Sequence, residues 1–184
     1  GYCSPEWQTV YIGGGTPSTL PPDQLQRLFS RINCSHATEI TIECNPDDVT
    51  PAFASLLASL PVNRVSMGAQ TFDDSRLRFL RRRHGAADVS RAVDCLRAAG
   101  IDNISVDLIY GFPDETLDQW DADITAALSL NVEHLSAYCL SYEEGTPLYL
   151  MLQNDKVQQT DDDTCLAMYT MLMDTLSANG YEHY

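Results

Sequence analysis

Five times along this chain, a short run of β-branched and aromatic residues gives way to a segment with helical periodicity. Trp7–Ile12, Glu39–Glu43, Asn63–Met67, Asn103–Ile109 and Glu133–Leu140 have the composition of strands. Between them, Pro21-Pro22-Asp23 opens a helix with Leu25, Leu28 and Ile32 on one face. Thr50-Pro51 supplies an N-cap and a first-turn proline for a helix through Phe53, Leu56, Leu57 and Leu60. Asp73–Leu80 reads as a short helix, and Ala86–Ala99 as a longer one closed by Gly100. Thr116 caps a helix bearing Leu117, Trp120, Ile124 and Leu128. Glu144-Gly145-Thr146-Pro147 reads as a turn, and Asp161-Asp162-Asp163 head a final helix. Two-residue hairpin signals are scarce, so the strands are expected to be parallel and joined by right-handed crossovers. The fold class is α/β. Periodicity alone fits both an open doubly wound sheet and part of a barrel.

Length and charge narrow the partners. The chain has 184 residues, enough for one domain with its own core. Its formal charge of −15, from 26 Asp plus Glu against 11 Lys plus Arg, disfavours nucleic acid and anionic lipid. No apolar run is long enough for a membrane span, and no basic-then-apolar start marks a secretory signal. A cytoplasmic protein is expected. The cysteines at 3, 34, 44, 95, 139 and 165 show no metal-pair spacing and read as buried free thiols. Gly1–Pro5 lead almost at once into a strand, and Gly180–Tyr184 stop where another strand is expected to begin. The chain therefore reads as a piece of a longer protein.

In parallel α/β proteins, ligands bind beyond the C-terminal strand ends. Here those ends carry Gly13-Gly14-Gly15-Thr16, Glu43, Gln70, Asp107 and Ser141. The glycine run is neither a P-loop nor G-x-G-x-x-G, but it lets backbone groups approach a polar ligand closely. Glu43 can accept bonds from sugar hydroxyls or cap the next helix. Gln70 can serve a ligand or a backbone group. Asp107 lies in the apolar run Val106-Asp107-Leu108-Ile109, where an unpaired carboxylate is costly. Arg81-Arg82-Arg83 suits a solvated helix end, or one guanidinium turns inward to clamp a carboxylate. His84 lacks a second ligand at metal spacing and reads as structural. Met168, Met171, Leu172 and Leu176 form an apolar helix face suited to packing.

Taken in order, Tyr11–Pro17, Ile42–Pro46, Arg64–Phe72, Val106–Pro113 and Leu135–Leu140 resemble the radical S-adenosylmethionine (SAM) proteins related to oxygen-independent coproporphyrinogen III oxidase. The stretch Leu135–Pro147 is more similar to HemW-like heme chaperones than to the oxidase. The resemblance implies a partial (β/α)6 barrel comprising strands two to six, so that residues 1–184 form an incomplete radical SAM core domain. It also implies SAM contacts from Gly14, Gly15, Thr16, Glu43, Gln70, Arg82 and Asp107, with Ser141 at a more variable position.

The family's C-x-x-x-C-x-x-C loop for a [4Fe–4S] cluster is absent, and Cys3 is too close to Gly13 to belong to it. Cleavage of SAM to a radical needs an electron from such a cluster. The chain alone is therefore expected to be inactive, with cluster ligands and heme site outside it. Heme or a porphyrinogen, and a heme-acceptor protein, are the implied partners of the complete protein. Two other readings remain open: a coproporphyrinogen III oxidase converting propionates to vinyl groups, and a cluster-free nucleotide-binding α/β module.

Overall fold

The computed structural model describes residues 7–184. Its strands are β1 (Thr9–Ile12), β2 (Glu39–Cys44), β3 (Arg64–Gln70), β4 (Asn103–Tyr110) and β5 (His134–Cys139). They form one parallel sheet in the order β1-β2-β3-β4-β5. The strand order never reverses, so there is no switch point of the doubly wound kind. Right-handed crossovers between successive neighbours put every connecting helix on the same side. This resolves the choice left open by periodicity in favour of a (β/α) barrel fragment.

The connecting helices are α1 (Pro22–Phe29), α2 (Pro51–Ser59), α3 (Asp74–Phe79), α4 (Ala86–Ala98) and α5 (Leu117–Ser129). After β5 come α6 (Pro147–Gln153) and α7 (Asp162–Ala178). The helices begin and end where local chemistry directs. Thr50, Thr116 and Asp161 accept bonds from Phe53, Gln119 and Thr164 N–H groups through their side chains, which satisfies amides the helix leaves free. Gly100, at φ +87°, ends α4, with Ile101 N–H donating to the Leu96 carbonyl at 3.0 Å.

Successive side chains of a strand point to opposite faces of the sheet, and here the two faces differ in kind. Ile42, Val65, Met67, Ile104, Val106 and Leu108 face the helices and are at most 1% exposed. They pack with Leu57, Leu96, Ile124 and Met168 into one core. At about 25 cal/mol per Å² of apolar surface removed from water, this layer is the main stabilising term. Trp120 is fully buried, and its indole N–H donates to the Met168 carbonyl at 3.0 Å, tying α5 to α7. The opposite face is polar: Tyr11, Thr41, Glu43, Ser66, Ser105, Asp107, His134 and Ser136 lie on it, linked through the register Glu43↔Ser66, Gly68↔Asp107 and Asp107↔Ser136.

Three expectations change. Thr146-Pro147 starts a helix as well as a turn: Thr146 Oγ1 accepts from Tyr149 N–H at 3.2 Å, repeating the Thr50-Pro51 pattern. Residues 181–184 form no strand. Tyr181 instead anchors there by donating its O–H to the Val132 carbonyl at 2.5 Å, a side-chain tie with no backbone ladder. Among the described cysteines, all free, Cys44 alone is buried. Cys139 is exposed because it ends β5, an edge of the described sheet, and its Sγ lies 3.7 Å from that of Cys165. Burial pushes the Cys165 thiol up to about 11. Cys3 lies outside the described residues.

Candidate functional site

The C-terminal ends of β1–β4 enclose a cavity of about 200 Å³. It is lined by Gly15, Thr16, Glu43, Gln70, Arg82 and Asp107, together with Pro17, Cys44, Asn45, Ser66 and Gly68. Six of the eight residues singled out from the sequence therefore converge, five from the ends of β1–β4 and Arg82 from the loop after α3. Gly14 stands beside them, its N–H donating to Glu43 Oε2 at 3.1 Å. Ser141 does not line the cavity; it falls beyond the end of β5, and its Oγ donates to Glu143 Oε1 at 3.4 Å.

The glycine run at the end of β1 has a specific steric basis. A Cβ at Gly13 would lie 2.7 Å from the Tyr11 ring and 2.8 Å from Glu43 Oε1. Gly14 then adopts φ +85°, which L side chains rarely accept. The chain thus turns tightly over Glu43, whose carboxylate also accepts the Tyr11 O–H at 2.9 Å. Burial, and then that bond, raise the Tyr11 phenol above its usual range.

Asp107 is partly buried, and burial raises its carboxyl above the usual range, opposed by the neighbouring Ser136 and Ser66 hydroxyls. Ser66 Oγ donates to Asp107 Oδ2 at 3.3 Å. No ion pair within 4 Å neutralises Asp107 among the described residues, so it retains capacity for donors or a cation.

The arginine run divides by geometry. Arg81 takes φ +56° just past α3. Arg82 N–H then donates back to the Leu77 carbonyl and Arg81 N–H to that of Arg78. This is a reversing helix stop with Arg where glycine is usual. The reversal sends Arg82 into the cavity and Arg83 outward. Burial lowers the Arg82 pKa, with Asp47 acting against it. Arg82 lines the cavity and makes no ion pair among the described residues, so no carboxylate of the described residues occupies the expected inward guanidinium. The exposed Arg83 forms the bridges instead, its Nη2 lying 3.1 Å from Asp47 Oδ2 and 2.9 Å from Asp48 Oδ1. Those carboxylates lie in the short 3-10 turn Pro46–Asp48 that follows β2.

Gln70 sits at φ +71° on an irregularity in the β3–β4 pairing between Gly68 and Gln70. Thr71 N–H donates to the Ala69 carbonyl at 2.9 Å, closing a three-residue reverse turn centred on Gln70. Gly68 makes room beneath it: a Cβ there would lie 2.6 Å from Gln70 Nε2. Buried His84 contacts the Ala69 carbonyl through Nε2 at 3.1 Å. Burial holds that imidazole below its usual pKa.

Ser66 and Gly68 also line the cavity, though neither stands at a polar strand end in the sequence. Both could have been found by counting every second residue of β3 onto the face that carries Glu43 and Asp107.

The mouth of this parallel barrel fragment thus gathers two acids, an amide, exposed backbone and a guanidinium with no ion-pair partner among the described residues, a polar cavity of the kind that suits a small polar ligand. The chain belongs to the Radical SAM superfamily, whose family model matches residues 3–127. Two curated relatives named heme chaperone HemW are 36% identical to it. The one from Lactococcus lactis aligns over 96% of this chain and 48% of its own length, and the one from Bacillus subtilis over 98% and 49%. The chain thus spans about half the length of these relatives. Among solved structures, coproporphyrinogen III oxidase (HemN) from Escherichia coli superposes with a TM-score of 0.81 at 24% identity. That match covers 95% of this chain and 41% of that one, a likeness of fold.

The described residues fit SAM but not an iron–sulfur cluster. SAM carries a carboxylate, an ammonium, a sulfonium and ribose hydroxyls. The cavity offers an arginine without a carboxylate partner, acids with open acceptor positions and glycine-run backbone. For a cluster, no three His, Cys, Asp or Glu gather into a metal-holding group among the described residues. No described helix is long and apolar enough to cross a membrane.

Proposed function

We propose that this chain is the SAM-binding part of a HemW-like radical SAM heme chaperone acting in the cytoplasm. The observation that carries the reading is the convergence of Gly15, Thr16, Glu43, Gln70, Arg82 and Asp107 on one cavity. In this role Arg82 receives the methionine carboxylate as a charge-assisted pair. Asp107 and Glu43 accept from ammonium or hydroxyl donors, and Gln70 offers both a donor and an acceptor. The exposed backbone of Gly14, Gly15 and Thr16 meets the methionine end. Bound SAM supplies radical chemistry on receiving an electron from an iron–sulfur cluster. The thiolates for that cluster, the heme site and contacts with a heme-acceptor protein are assigned to parts of the complete protein outside residues 1–184.

The test is calorimetric titration of SAM into the complete gene product, purified anaerobically. Saturable one-to-one binding is expected, weakened about tenfold by Asp107→Asn, equivalent to about 1.4 kcal/mol. Absence of saturable binding by the unaltered protein would overturn the reading. Unchanged affinity in the variant would remove Asp107 from the site.

A further inference from the structure

Gln70 is held in a backbone state that ordinary side chains avoid, and the surroundings account for how it stays there. A turn closed by an N–H to C=O bond two residues back, with positive φ at its centre, is the rarer and more strained form of its class. Such strain persists only where neighbouring structure over-determines it, and it clusters at ligand clamps. Here both arms are pinned. On the incoming arm, His84 Nε2 contacts the Ala69 carbonyl at 3.1 Å. On the outgoing arm, Asp123 takes Thr71 O–H on Oδ2 at 2.6 Å and Phe72 N–H on Oδ1 at 2.8 Å. Asp123 is itself buried on α5, with Arg76 Nη1 3.9 Å from its Oδ2. His84 and Asp123 therefore grip the turn from two different elements, and neither lines the cavity.

We infer that His84 and Asp123 are positioning residues that hold the reverse turn at Gln70 so that its carboxamide is delivered into the cavity. The inference rests on the SAM-binding reading and deepens it. The two residues act through Gln70: with the turn released, φ at Gln70 relaxes toward negative values and the carboxamide swings out of line with Arg82 and Asp107. Gly68 fits the same account, because any side chain there would strike the Gln70 amide nitrogen.

A double-mutant cycle tests this, with SAM affinity measured by calorimetry on the complete protein. His84→Phe keeps the ring volume but removes the contact to Ala69, and is expected to weaken binding about tenfold. Gln70→Ala is expected to weaken it by a similar factor. The double variant should bind no worse than Gln70→Ala alone, because the first residue works only through the second. Asp123→Asn, combined with Gln70→Ala in the same cycle, supplies the outcome if His84→Phe fails to fold. Gln70→Gly separates positioning from a purely structural role: it relieves the positive-φ penalty, so the melting temperature rises while affinity falls. Multiplying, independent losses in the cycle, or unchanged affinity in a folded His84→Phe protein, would overturn the inference. Failure of the unaltered protein to bind SAM at all would instead strike the functional reading beneath it.

Discussion

Two regions of this molecule bring one arginine together with two acids, and they resolve the charge in opposite ways. Between α3 and α5, Arg76 is 9% exposed. Its Nη1 lies 3.0 Å from Glu115 Oε1, and its Nη2 donates to Gln119 Oε1 at 2.6 Å. Glu115 Oε2 accepts from the Gly111 and Phe112 N–H groups at 2.6 and 3.0 Å, and Asp123 holds Thr71 and Phe72. Burial raises both carboxyls, and Arg76 opposes the rise. At the barrel mouth, Arg82 has no carboxylate within ion-pair distance among the described residues, although Glu43 and Asp107 line the same cavity. A closed cluster spends its charge on structure. An open one keeps its charge for a ligand.

The sharpest break of that contrast is Arg76→Leu. Removing the cation leaves two buried carboxylates without their partner, a loss expected to cost about 3–5 kcal/mol. Urea unfolding monitored by circular dichroism measures it. A loss near zero would show that backbone donors alone satisfy Glu115 and Asp123. The counterpart is Arg82→Ala, for which unfolding free energy should stay within about 0.5 kcal/mol while calorimetric SAM affinity drops about tenfold. Equal stability losses at the two arginines would erase the distinction.

Asp107 sharpens it further through pH. Its folded pKa lies above the unfolded value of about 3.9 because burial favours the neutral form. The stability this group contributes is present below the unfolded pKa. It is lost as pH rises through the raised folded value. Asp107→Asn should therefore gain stability relative to the unaltered protein between pH 4 and pH 7, by at most about 1 kcal/mol. Parallel unfolding curves at the two pH values measure the gain. A gain that shrank with rising pH would reverse the assigned sign. The smallest effect belongs to Arg83→Ala: the side chain is on the surface, and its bridges to Asp47 and Asp48 are screened by solvent. Its unfolding midpoint should not move measurably in 0.5 M salt.

Much of this was legible in the residues. The strand–helix order, the cap at Thr116, the stop at Gly100 and the polar strand ends follow from rules that act within one turn or one strand. The helix at Pro147 is legible too, since Thr146-Pro147 repeats Thr50-Pro51, although the adjoining Gly145 equally suits a turn. The closed cluster was not. Thr71, Arg76, Glu115 and Asp123 are spread along the chain, and no local period joins them.

By itself, then, the sequence determined the alternation of elements and placed Glu43, Gln70 and Asp107 near strand ends, because side-chain period and capping are set by neighbours a few bonds away. Residue periodicity left barrel and doubly wound sheet both open, and beyond the family resemblance only strand pairing decides between them. Likewise, the run of three arginines does not by its local pattern say which one faces inward; the tertiary structure does. That choice follows from the backbone reversal at Arg81 and from the pairing of Arg83 with Asp47 and Asp48, contacts between elements that local pattern does not encode.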